Sequence, residues 1–75
     1  MVPEDFEITG LGARLAQARD RMNWTQEDLA LEIGSAPATV GAYEGGRSKP
    51  SLLRICRIAL ACKVTLNWLV GLDEE

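Results

Sequence analysis

The chain has 75 residues, 47% of them hydrophobic and 25% charged, with a formal net charge of -3 and no histidine. These values fit a single small folded domain and exclude disordered and fibrous classes. On folding, such a chain buries only about 60% of the surface it exposes when unfolded, so one thin core is expected. The longest apolar stretch, Ile58 to Cys62, is far too short to span a membrane, and nothing in the N-terminal residues resembles an export signal. The net charge conceals its own distribution. Glu4, Asp5, Glu7, Asp73, Glu74 and Glu75 lie at the ends; without them five acids face eight basic residues, and the middle of the chain is about +3.

Residues 1–8 read as an N-terminal arm, 9–72 as the folded domain and 73–75 as an acidic tail. Thr9 is the expected cap of a first helix from about Gly10 to Met22. Leu11, Leu15, Ala18 and Met22 recur on its inner face, and Arg14, Gln17 and Arg21 lie on the other. Asn23 supplies the turn that follows. Trp24 then precedes a strong helix start: Thr25 as cap, Asp28 three residues on in a shortened capping box, and Glu27 beside it at the positive end of the dipole. Leu29, Ala30 and Ile33 face inward until Gly34 stops the helix.

A third helix is expected from about Ala36 to Glu44, capped by Ser35, with Pro37 tolerated in the first turn and Val40 and Tyr43 turned inward. Gly41 weakens its middle by about 1 kcal/mol relative to alanine. It suits a position that something approaches closely, or one where no side chain has to read anything. After Gly45 and Gly46 comes a basic turn, Arg47, Ser48, Lys49 and Pro50. Ser51 caps a fourth helix to about Ala61, with a core face of Leu52, Ile55, Cys56 and Ala59. Thr65 caps a last short helix, Leu66 to Val70, closed by Gly71. No strand and no repeat fits the pattern, so the expected fold is all-α, a compact five-helix bundle.

Two helices joined by about four residues with a glycine in the turn can form a helix-turn-helix, a weak signal by itself. The longer string is specific. Thr25-Gln26-Glu27-Asp28-Leu29-Ala30, Ile33-Gly34, Thr39-Val40, Tyr43-Glu44-Gly45-Gly46-Arg47 and Lys49-Pro50-Ser51-Leu52, with Leu66-Asn67-Trp68-Leu69, closely resemble the five-helix XRE-type DNA-binding domain of phage lambda and 434 repressors and Cro-type regulators. The likeness runs from about residue 10 to residue 70.

That resemblance implies a transcription regulator, a repressor of phage or bacterial origin, that binds double-stranded operator DNA; it is expected to act as a dimer in the cytoplasm. In such a regulator Gln26, Arg47 and Lys49 would hold phosphates; Arg14, on the outer face of the first helix, is a further candidate for a phosphate contact, with ordinary helix surface as the alternative. Arg19 and Glu44 would form an internal ion pair bracing the first helix against the third. Pro37, Ala38, Thr39, Gly41 and Ala42 would form the DNA-facing surface of the third helix. Here the chain departs from the family pattern. Bidentate amides and guanidiniums distinguish bases by about 1–3 kcal/mol each, whereas an alanine methyl can only touch a thymine methyl, so readout should be shallow and lean on DNA shape.

Leu53 and Leu60, seven apart with Arg57 between them, stand off the expected core face and suggest an interface, most naturally with a second copy. The alternative function is a protein-interaction module, engaging another regulatory protein, that keeps the helix-turn-helix fold and has weak or lost DNA readout. Cys56 and Cys62 point about 120° apart on one helix, which disfavours a disulfide between them and suits reduced, buried thiols. Without histidine, a C-x-x-C spacing, paired acids or a glycine-rich phosphate cradle, no metal, cofactor, small-molecule substrate or enzymatic activity is expected.

Overall fold

A computed structural model describes residues 8–72; the N-terminal arm up to residue 7 and the acidic tail lie outside the described residues. Among the described residues five helices follow one another: α1 (Leu11–Arg21), α2 (Gln26–Ile33), α3 (Pro37–Glu44), α4 (Leu52–Cys62) and α5 (Leu66–Leu69). They enclose one core, with Leu15, Leu29, Ile33, Val40, Ile58 and Leu69 as its largest fully buried side chains. Trp24 and Trp68 are half-buried against it. The Trp68 ring also takes the Arg21 guanidinium 4.8 Å from its centroid, tying α1 to α5 on the outside.

The helix starts follow the sequence where a hydroxyl stands at the cap. Thr25 and Asp28 form a reciprocal capping box, with Asp28 N donating to Thr25 Oγ1 at 3.1 Å and Thr25 N to Asp28 Oδ2 at 2.9 Å. Ser51 and Thr65 accept from Arg54 N and Trp68 N. Two expected caps are corrected. The residue before α1 is Gly10, in a left-handed conformation, and no side chain caps the helix; Thr9 instead offers its carbonyl to Arg14 Nη1 at 2.7 Å. The residue before α3 is Ala36, and the Ser35 hydroxyl donates to the Ala36 carbonyl. Pro37 at the first position of α3 lacks an amide that would have needed a cap.

The core face of α4 is also corrected. Ile55, Ile58, Ala59 and Cys62 are buried, while Leu52 is 71% exposed and Cys56 only half-buried. At about 100° per residue the buried stripe centres between Ile55 and Cys62, which leaves Cys56 on its flank and Leu52 in a first turn that projects to solvent. Leu53, Arg57 and Leu60 lie roughly 150° or more from that centre, and all three are exposed. Both cysteines are free thiols. Burial pushes the Cys62 thiol up more than the nearby Arg19 charge lowers it, so it stays protonated and inert at neutral pH.

Gly12 sets how closely α1 and α3 approach. A β-carbon there would stand 2.4 Å from the Glu44 carbonyl oxygen and 2.9 Å from that of Tyr43, so the α1 backbone rests directly on the last turn of α3. Neither obstacle is a side chain that could swing away. Gly12→Ala is therefore expected to destabilise the fold by about 1–3 kcal/mol despite alanine's better helix propensity, read as a lower urea midpoint with an unchanged slope.

Candidate nucleic-acid interface

The capping box fixes where α2 begins, Gly34 in a left-handed conformation (φ 72°) ends it, and α3 starts three residues later. The two helices and the turn between them form the most extensive helix pairing of the molecule. On α3, Val40 and Tyr43 point into the core; Ala36, Pro37 and Ala38 are exposed, and Thr39, Gly41 and Ala42 are half-buried. The outer surface of α3 is thus nearly free of hydrogen-bonding side chains, Thr39 excepted.

Beyond α3 the chain folds back on it, Arg47 N and Ser48 N both donating to the Ala42 carbonyl, at 2.9 and 3.3 Å. Arg47, Ser48 and Lys49 are exposed on this turn. The Arg47 guanidinium lies over Gly45, where a β-carbon would meet Arg47 Nη1 at 2.8 Å. Lys49 and Ser48 line a cavity of about 300 Å³ with Leu11, Tyr43, Pro50 and Ile55. The turn is thus anchored to the end of α3 and carries two cations outward.

Arg19 holds the pair in place from below. Its Nε donates to Glu44 Oε2 at 2.7 Å and its Nη2 to Glu44 Oε1 at 3.1 Å, while Nη1 reaches the Trp24 carbonyl at 2.7 Å. One guanidinium therefore joins α1, the turn before α2 and the end of α3. Both side chains are largely covered, 15% and 10% exposed, so solvent screens this pair less than one on the surface. Burial pushes the Glu44 carboxyl up, but hydrogen bonds from Arg19 and Gln26 and the Arg19 charge more than offset it, leaving the group below the ordinary glutamate value. The hydrogen bond to Glu44 in turn raises Arg19.

Gln26, exposed at the first position of α2, leans over Gly41 and donates from Nε2 to Glu44 Oε1 at 3.0 Å. Sequence reasoning placed Gln26 and Glu44 separately and missed this contact. Gly41 was the available signal, a helical position left bare opposite the start of α2. Arg14 differs from the other candidates: half-buried, it donates to the Thr9 carbonyl and sits beside Gly71, where a β-carbon would lie 2.9 Å from its Nη1. It is engaged where α1 begins and α5 ends. Leu31, 78% exposed on α2, was also not anticipated.

A helix-turn-helix family model matches residues 15–69, most of the chain and all of α2, α3 and α4. The chain belongs to the helix-turn-helix family. It is 34% identical over 62 residues to an uncharacterized HTH-type transcriptional regulator, YobD, of Bacillus subtilis, covering 83% of this chain and 55% of that protein. It is 34% identical over 58 residues to the cryptic phage CTXphi transcriptional repressor RstR of Vibrio cholerae, covering 77% and 52%. It is 31% identical over 67 residues to multiprotein-bridging factor 1 of Debaryomyces hansenii, covering 89% and 45%. The chain spans about half the length of these relatives. Among the described residues no helix is long and apolar enough to cross a membrane, and no cluster of histidine, cysteine or acidic side chains could hold a metal.

The lowered Glu44 carboxyl makes stability depend on pH. Its contribution is complete above the ordinary glutamate range and is lost as pH falls through the depressed folded value. Glu44→Gln should cost about 1–3 kcal/mol at pH 7 and progressively less below pH ~4, measured by urea unfolding of both proteins across that range.

Proposed function

We propose that this chain is a sequence-specific DNA-binding transcription regulator, a repressor of phage or bacterial origin that occupies a near-palindromic operator as a dimer and so occludes a promoter. The observation that carries the reading is the arrangement around α3: a helix braced from below by Arg19 and Glu44, its outer face uncovered among the described residues, with exposed Gln26 before it and exposed Arg47 and Lys49 after it. α3 enters the major groove. Gln26 and the Arg47–Lys49 turn hold phosphates on either side of it, and the N-terminal dipole of α2 adds to the attraction.

With Pro37, Ala38, Gly41 and Ala42 on the reading face, α3 contributes close backbone approach and methyl contacts. Sequence preference then comes largely from the shape and deformability of the DNA. Dimerisation uses the exposed strip of Leu53 and Leu60 around Arg57 on α4, so that two reading helices reach half-sites about 34 Å apart. A second reading, a protein-interaction module with weak or lost DNA readout, is favoured by the same apolar outer face of α3 together with exposed Leu31, Leu53 and Leu60.

Gel-shift titration against genomic fragments at two salt concentrations separates the two. The regulator reading predicts binding that weakens steeply with salt, and Arg47→Ala or Lys49→Ala each lowering the slope of log K against log salt by about 1. No binding at low salt would leave the interaction module. Sedimentation should show a dimer for the unmodified chain and a monomer for Leu60→Glu, whose charge cannot be buried in an apolar contact; a monomer for both would remove α4 from the account.

A further inference from the structure

The Arg19–Glu44 pair is more than a brace. Glu44 Oε1 accepts from both Arg19 Nη2 and Gln26 Nε2, so the carboxylate that locks α1 to α3 also holds the exposed amide at the start of α2. An ionised carboxylate can only accept hydrogen bonds, and this obliges the Gln26 nitrogen rather than its oxygen to face it. The oxygen is thereby turned toward Gly41, where a β-carbon would lie 3.3 Å from Oε1, and the bare glycine gives the amide room to lie there. Of the two hydrogens on Nε2, one is taken by Glu44 and one remains. A phosphate oxygen accepts and does not donate, so it can be met by that remaining N–H and is repelled by the amide oxygen.

We propose that Glu44 is a positioning residue for DNA contact, fixing the Gln26 amide in the one orientation that offers an N–H to a backbone phosphate beside the first turn of α2. The inference rests on the DNA-binding reading above. In it the carboxylate does for Gln26 what preorganisation does for any flexible ligand-binding side chain, removing rotamers and the wrong amide orientation before DNA arrives.

The test is a double-mutant cycle of Gln26→Ala and Glu44→Gln, with affinity for one short duplex of fixed sequence measured at low salt, where phosphate contacts dominate. Circular dichroism confirms that each variant is folded at the working temperature. Gln26→Ala should weaken binding several-fold. Glu44→Gln should cost about 2- to 10-fold more when Gln26 is present than in the Gln26→Ala background, because there is then no amide left to orient. Loss of charge or of the brace acts equally in both backgrounds, and equal effects would overturn the proposal while leaving DNA binding intact. Absence of duplex binding by the unmodified chain would overturn both.

A second measurement needs no variant at position 44. In the free protein one of the two Gln26 side-chain amide protons should be displaced from its position in an unrestrained glutamine by its hydrogen bond to Glu44, and the displacement should vanish as acid protonates Glu44. Signals at pH 7 indistinguishable from those of an unrestrained glutamine would sink the proposal.

Discussion

The rest of the structure depends on one guanidinium meeting one carboxylate. Arg19 reaches from α1 to Glu44 at the end of α3 with two hydrogen bonds, and to the Trp24 carbonyl with a third. A bundle of 65 described residues has little core with which to fix every helix by packing alone. The short helix α3 contributes only Val40 and Tyr43 to that core, and a stripe so narrow leaves its axis free to roll. The ion pair and the backbone seat at Gly12 remove that freedom from two sides, one by directional hydrogen bonds and one by contact. A pair of this kind is weak evidence for stability, since desolvation offsets much of its attraction. Its contribution is a single geometry for the helix that faces outward.

Much of this was legible in the chain. Thr25, Ser51 and Thr65 announce their helices because a hydroxyl at a cap acts within one turn, and Gly34 announces an end because few other residues adopt its backbone. The family string located α2 and α3, and the apolar period located most of the core. The failures share a cause. Thr9 and Ser35 are equally good caps in isolation, but Arg14 draws the Thr9 carbonyl, and Pro37 leaves α3 with less to cap. Leu52 and Cys56 are apolar enough for the core, yet the phase of α4 is set by the whole stripe through Ile58, which local pattern does not resolve.

The site divides along the same line. The frame residues carry recognisable chemistry at recognisable spacing. The meeting of Gln26 with Glu44 does not, because it spans 18 residues and depends on how α2 crosses α3. Gly12 is similar: nothing about a glycine near the start of α1 says that the carbonyls of Tyr43 and Glu44 will lie against it. Contacts made by the absence of a side chain leave no mark in a propensity.

That seat has a consequence for how the fold could change over time. Because α3 is held by its inner side chains, by the Arg19–Glu44 pair and by backbone resting on Gly12, the exposed side chains of Ala36 and Ala38 help neither to hold the helix nor to aim it. Their identities can be rewritten one at a time with little change in stability, so the helix acts as a mounted blank. A lineage carrying this scaffold could gain or lose specificity for a target without passing through an unfolded intermediate.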